Sequence, residues 1–465
     1  MPDGSAAGLP DGFPRSLVRG PVLIPGDDGY DEERSGFQTG YRHRPGVIVC
    51  ATVAEDVRLA VKYAAEHALP LAVQATGHGL AAPVEGGVLV STRRMTDVRV
   101  DAGARTAWIE AGVRWGRVVE EAARHGLAPL SGSGPGVGAV SYTLGGGIGL
   151  LARQYGYAAD HVRSIDVVTA DARLRHLTEE SEPDLFWAMR GGGSGFGLVT
   201  GMEIELMPLE HFYGGQLIFD GELAEAVLQR WREWTRTVPE ELTSSVTLLA
   251  YPDIPVLPEQ LRGRYVAQVQ VAFNGTEAEG ERLVAPLLAI GPRVSETLRT
   301  MPYTESAGVY NEPDQPHAYR GGNVLLGECP DPAALRRVLE LTGPKAPLMT
   351  VVSLRHMGGA LSRAPEPPNA VRCRDASLLL VVLSVTEGGD PAVPEALHEK
   401  VFDAVSPWTV GSNLNFRYGR PVQTAHGGVR AAHGADDQRR LAGLKALVDP
   451  VNLFRFHQGA PAAPE

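Results

Sequence analysis

Cysteine is scarce: three residues, Cys50, Cys329 and Cys373, in a chain of 465. An odd, widely spaced set signals neither a disulfide framework nor a CxxC metal site, and buried free thiols are the plain reading. An excess of positive charge is also missing. Lys and Arg number 43 against 55 Asp and Glu, for a formal net charge of -12. Nucleic-acid binding depends on clustered Lys and Arg that neutralise phosphates, so a small-molecule partner is expected instead. No apolar run is long enough to cross a bilayer. The first 20 residues are rich in Gly, Pro and Asp and lack the apolar stretch of a secretory signal, which makes the cytoplasm the expected location. His426 and His433 flank a Gly-Gly loop without the i, i+4 spacing of a zinc helix, so no metal is expected.

What is abundant is glycine, with 55 residues, beside 35 prolines. A chain of this length exceeds one ordinary core, so two domains are the starting expectation. Up to about Pro208, short apolar runs alternate with helical patterns. Residues 46–53, Leu71–Val73, Gly87–Val90, Ala107–Ala111, Ile165–Ala170 and Gly201–Leu206 read as strands, with helices at Ala54–His67 and Val113–His125. The middle portion reads differently. Strands at Ser245–Ala250, Tyr265–Phe273, Met349–His356 and Ser377–Thr386 are separated by helices at Leu223–Thr235, Glu277–Ile290, Pro332–Leu341 and Pro394–Val405, which suits an antiparallel sheet covered on one face. The tail carries a helix at Asp437–Val448.

Three glycine clusters dominate the first 200 residues: ATGHG at 75–79, SGSGPGVGAVSYTLGGGIG at 131–149 and RGGGSGFG at 190–197. Glycine lets backbone N–H groups approach a ligand with no Cβ in the way, which suits a pyrophosphate. A nicotinamide-type dinucleotide site is the obvious competitor, and it fails. Gly77 to Ala82 fits G-x-G-x-x-A, but Pro83 and Gly86-Gly87 prevent the helix whose N-terminus would hold the phosphates. The second match, from Gly134, follows a helix rather than a strand.

Over about residues 40–460 the chain resembles the FAD-linked oxidases of the vanillyl-alcohol-oxidase or PCMH-type fold, within them the berberine-bridge-enzyme-like group of bacterial secondary metabolism. The stretches that carry the resemblance are LAVQATGHG, SGPGVGAVSYTLGGGIGLLARQYGYAADHV, DLFWAMRGGGSGFGLVTGMEIEL and the terminal DPVNLFRFHQ. The resemblance implies an α+β protein. A PCMH-type FAD-binding domain would span residues 1–208 and an antiparallel-sheet substrate domain 209–407, with a segment over 408–465 returning to the first. It places His78 where the family joins a histidine to the flavin 8α-methyl carbon, a step that needs a nucleophilic imidazole. It implies FAD contacts from Gln74, Ala75, Thr76, Gly77, Gly79, Gly132, Ser133, Gly134, Val137, Gly138, Ser141, Thr143, Gly145, Gly146, Gly147, Gly197, Val199, Asn413 and Asn415. The implied activity is two-electron oxidation of an alcohol, glycoside or polyketide-like molecule with O2 as acceptor, by a monomer or homodimer.

Two departures narrow these expectations. Many members carry a second covalent link, from a cysteine where this chain has Gly134, so a single histidyl link is expected. Members that oxidise alcohols or sugars often use a tyrosine where Asn413 stands, and a neutral amide cannot take a proton. Candidate replacements are His356, Tyr418 and His457, with Tyr303, Tyr310 and Glu305 behind them. Histidine titrates near neutrality, and His356 ends a strand of the sheet expected to face the flavin. The missing tyrosine keeps open a cyclase that uses the flavin pocket without net oxidation, and a cofactor-free binding protein on the same fold.

Overall fold

The structure is a computed structural model that describes residues 13, 15–80, 82–386, 389–418 and 435–456. All four residues of Val47–Cys50 are buried, as are those of Val88–Ser91, which fits strands covered on both faces. The two pair in parallel, and Leu71–Gln74 joins on the far side of Val88–Ser91. Val22–Leu23 completes a four-stranded sheet at the other edge. The helix Ala54–Glu66 buries Val57, Ala60, Val61 and Ala64, spaced i, i+3, i+4 and i+7, in the core of this sheet. A second, five-stranded sheet runs Val98–Asp101, Thr106–Glu110, Leu198–Glu205, Val162–Val168, Leu174–Leu177. Its core takes in the helices Trp115–Ala123, Ala139–Leu144 and Pro183–Met189.

Residues 211–411 build a nine-stranded sheet. Its path is Arg293–Glu296, His211–Asp220, Tyr265–Phe273, Leu242–Ala250, Thr350–His356, Leu378–Val385, Tyr319–Leu326 and Thr409–Gly411, with Arg299–Pro302 pairing beside His211–Asp220. Every neighbouring pair is antiparallel. Helices Ala224–Trp234, Glu277–Leu288, Pro332–Thr342 and Ala392–Ala404 cover one face with Val227, Trp231, Val284, Leu335 and Phe402. The other face is turned toward the glycine loops. The architecture is therefore α+β, in two layered units.

Two strands of this sheet, His211–Asp220 and Tyr319–Leu326, contain Gly-Gly pairs and are not among the strands read from the sequence. The pairs mark close approach instead. A Cβ on Gly321 would stand 2.7 Å from the Val382 carbonyl oxygen, and Gly215, at φ +139°, lies against Thr297. The sheet also runs past the expected boundary at 407, to Gly411. Beyond it, the helix Ala435–Val448 packs on Pro183–Met189, and the Leu71 N–H donates to the Leu453 carbonyl at 3.0 Å. Among the described residues no helix is long and apolar enough to cross a membrane.

Candidate active site

Between the glycine loops and the bare face of the large sheet lies a cleft of about 2140 Å³. Its floor comes from Gln74 to Gly79, Gly132 to Val137, Ser141, Gly145, Gly197 and Val199, and its roof from the sheet. Of the expected cofactor residues, Gln74, Ala75, Thr76, Gly77, His78, Gly79, Gly132, Ser133, Gly134, Val137, Ser141, Gly145, Gly197, Val199 and Asn415 all border it. Gly138, Thr143, Gly146, Gly147 and Asn413 do not. Thr143 bonds back to the Ala139 carbonyl (2.8 Å), and a Cβ on Gly147 would come within 2.5 Å of the Tyr142 ring. Asn413 is held in place by its neighbours. Its N–H donates to Asn323 Oδ1 (2.7 Å), and its side-chain oxygen accepts from the Asn415 N–H (2.9 Å).

His78 stands at the junction of floor and roof. Its Nδ1 lies 2.8 Å from Thr76 Oγ1, and its ring stacks on Phe37 with centroids 4.0 Å apart and planes 10° from parallel. Its carbonyl accepts a hydrogen bond from the Tyr319 hydroxyl of the roof (2.6 Å). Burial, together with the nearby charges of Arg114 and His317, lowers its pKa to about 4. The ring is therefore neutral near pH 7 and keeps a nitrogen lone pair.

The residues suit a long polar ligand. The N–H groups of Thr76, Gly77 and His78, and of Gly132, Ser133 and Gly134, donate to no described protein group. Four buried side-chain atoms on cleft-lining residues also lack partners: His43 Nε2, Gln74 Oε1, Thr92 Oγ1 and Tyr142 Oη. Buried polar groups are ordinarily paired, so such a concentration along one cleft fits a dinucleotide with many donors and acceptors. Glycine serves a second purpose here. A Cβ on Gly77 would stand 2.5 Å from Gly36 Cα, and one on Gly145 would be 2.1 Å from Asn415 Oδ1. These glycines let the loops pack on each other as well as on a ligand.

The roof carries a polar ribbon. Ser245 Oγ lies 2.8 Å from both the Tyr310 hydroxyl and Gln270 Oε1; Gln270 Nε2 donates to Gln268 Oε1 (3.3 Å), and Gln268 Nε2 to the Tyr251 hydroxyl (2.6 Å). At its inner end the Arg355 guanidinium stands 4.9 Å from the Tyr310 ring centre and 4.8 Å from that of Phe416.

The proposed bases separate clearly. His356 points the wrong way, which corrects the sequence reading. Side chains alternate along a strand, so Val351, Ser353 and Arg355 line the cleft while Val352, Leu354 and His356 face the helices. His356 Nε2 lies 2.8 Å from Arg153 Nη1, and burial plus that charge lower its pKa to about 3. Tyr303 is buried against Ser131 (3.0 Å), and Glu305 is paired with Arg299 at the surface. Tyr418 borders the cleft, but burial and the Glu312 carboxylate push its phenol well above the tyrosine range. Tyr310 also borders the cleft. His457 lies outside the described residues. Phe37, Arg114, Gln268, Gln270, Tyr319 and Arg355 were not expected at the site; the alternation Ser353-x-Arg355 and Gln268-x-Gln270 within apolar strands was the signal for three of them.

Comparison with known proteins agrees with this geometry. Residues 45–178 match the FAD binding domain family. The chain is 27% identical to the FAD-linked oxidoreductase YgaK of Bacillus subtilis (strain 168), over 96% of this chain and 98% of that one. It is 31% identical over 299 residues to (R)-6-hydroxynicotine oxidase of Paenarthrobacter nicotinovorans, 62% of each chain. Among solved structures, 6-hydroxy-D-nicotine oxidase from Arthrobacter nicotinovorans superposes with a TM-score of 0.81 at 24% identity, covering 99% of this chain and 100% of that one. A chitooligosaccharide oxidase superposes with 0.82 at 21%, covering 97% and 98%. Fold and cleft together define an FAD-binding oxidoreductase. Residues 45–178 carry the FAD binding domain, and the chain is similar along nearly its whole length to FAD-linked oxidoreductases and shares the fold of 6-hydroxynicotine and berberine-bridge-like oxidases.

Proposed function

We propose that the protein is an oxidase that carries FAD covalently on His78 alone and oxidises a small organic molecule of secondary metabolism. The observation that carries this reading is the neutral imidazole of His78, stacked on Phe37 at the edge of a cleft lined by unpaired N–H groups. A neutral ring offers the lone pair that attack on an electrophilic methyl group requires. Gly134 has no side chain to form a second link, and a Cβ there would meet Glu312 Oε2 at 3.1 Å. FAD, when bound, supplies a two-electron acceptor for a substrate C–H bond and passes the electrons to O2, giving H2O2.

The chain's own residues bind and orient the substrate. The large sheet shuts the cleft from above, and the Ser245–Gln270–Gln268–Tyr251 ribbon offers donors and acceptors to hydroxyl or carbonyl groups. Tyr310 is the group we assign to proton transfer. It borders the cleft, and its hydroxyl lies 2.8 Å from Ser245 Oγ, whose hydrogen bond orients it. Asn413 and His356, turned away from the cleft, do not fill this role.

Anaerobic mixing with substrate tests the reaction. Bleaching of the flavin absorbance, followed by H2O2 on admitting air, is expected. Turnover of substrate with no bleaching would identify a cyclase instead, and a colourless purified protein would overturn the FAD assignment.

A further inference from the structure

Arg355 is the one charged side chain that the described strands of the large sheet contribute to the cleft lining. It is 12% exposed, and its guanidinium makes no hydrogen bond to any described residue. The nearest carboxylate is Glu312, with Nη2 and Oε1 4.0 Å apart, beyond hydrogen-bonding reach. Glu312 is itself 41% exposed and accepts from Ser133 Oγ at 2.7 Å, so it offsets the arginine's charge only weakly. Tyr310 and Phe416, both within 5 Å of the guanidinium carbon, hold the group in place by cation–π contact. Five N–H donors are thus held on a largely buried, permanently charged fork, and none bonds to a described residue.

We propose that Arg355 is the anion-recognition residue of the substrate site, and that the substrate carries a carboxylate, or an equally planar oxyanion, beside the carbon to be oxidised. This deepens the oxidase reading and rests on it. A planar carboxylate matches the guanidinium fork with two parallel hydrogen bonds, which a hydroxyl or an amide cannot supply. Beyond the arginine the lining interleaves polar Thr247, Ser353, Gln268 and Gln270 with apolar Leu249, Val351, Leu383 and Val385, so the body of the substrate is mostly apolar with a few hydroxyl or carbonyl groups. Tyr310 lies beside the anchor, so a carboxylate held there presents its neighbouring carbon or hydroxyl to the Tyr310 oxygen. Glu312 competes weakly for the same charge and would be displaced as the anion binds.

The test uses the purified, flavin-loaded protein with benzoate as probe and benzamide as its neutral counterpart. Binding is followed by perturbation of the flavin absorbance, so no turnover is needed. Benzoate is expected to perturb the spectrum saturably, and benzamide is not. In Arg355→Met the benzoate response is expected to weaken at least about tenfold, with Arg355→Lys intermediate. Glu312→Gln, which keeps the arginine, is expected to tighten benzoate several-fold and guards against a misfolded Arg355 variant. Equal benzoate affinity in Arg355→Met, no benzoate response in yellow wild-type protein, or no change in Glu312→Gln would each overturn the proposal. A shift of the resting flavin spectrum in Arg355→Met with benzoate binding unchanged would put the guanidinium against the cofactor and overturn it also. A colourless protein would instead be the failure of the oxidase reading.

Discussion

Phe37 lies flat against the His78 imidazole, with ring centroids 4.0 Å apart and planes 10° from parallel. The two come from different loops, whose backbones are tied by hydrogen bonds from the Phe37 N–H to the Thr76 carbonyl (2.9 Å) and from the Gln38 N–H to the Gly77 carbonyl (3.0 Å). Stacked rings of this kind contribute about 0.5–1.5 kcal/mol beyond their burial. Here the contact fixes the imidazole plane. Phe37→Ala is expected to lower the fraction of flavin that stays with acid-precipitated protein, and Phe37→Tyr to retain it. The ratio of flavin to protein absorbance in the redissolved pellet measures this.

Tyr310 is expected to matter to turnover and not to cofactor retention. General acid–base residues contribute about 10²–10⁴-fold to rate. Tyr310→Phe should lower kcat within that range while the protein remains yellow. Tyr418→Phe should cost far less, because burial and Glu312 raise that phenol well above the tyrosine range and make its proton harder to give up. Steady-state oxygen consumption by the two variants separates the roles; the reverse ranking would move the proton transfer to Tyr418.

Lys445 and Asp449 form an ion pair in which neither side chain is exposed. Lys445 Nζ also donates to the Gly195 carbonyl (2.7 Å), and Asp449 accepts from the N–H groups of Leu453 (2.7 Å) and Phe454 (2.9 Å). The pair clasps the tail to the third glycine cluster. Removing one partner strands a buried charge, at a cost of about 3–5 kcal/mol. Asp449→Ala is expected to lower the unfolding midpoint and the flavin content together. A lowered midpoint with full flavin content would show the clasp to be independent of the cofactor.

His356 sets a pH dependence of stability. Its pKa in the fold, about 3, lies below the ordinary histidine value of about 6.5. Below pH 6.5 the unfolded chain takes up a proton that the folded chain refuses, so this contribution is complete above pH 6.5. It declines as the pH falls toward 3, by at most about 1.4 kcal/mol per unit. Denaturant unfolding of His356→Gln beside the parent should show a shallower loss between pH 6 and 4, over which His398, with a pKa lowered to about 4 by burial and Arg320, still acts in both.

Much of the floor was legible because glycine clusters are local signals. His78, Gly79 and Gly132 to Val137 sit in contiguous stretches that also border the cleft. The roof was harder to read. Its lining is a set of alternate side chains from strands more than 100 residues apart, such as Thr247 and Ser353, and a slip of one position exchanges the faces. That slip put His356 on the cleft side in place of Arg355. Two strands with internal Gly-Gly pairs stayed hidden because their glycines answer to tertiary contacts at Val382 and Thr297 that no local pattern contains.

The central claim, a single covalent anchor for FAD at His78, is tested most directly by acid precipitation of the purified protein followed by digestion and mass analysis of the yellow peptide. The flavin is expected to stay in the pellet and to map to the peptide containing His78, and His78→Ala is expected to release all of it. Flavin in the supernatant of the wild-type protein, or acid-stable flavin retained by His78→Ala, would contradict the account.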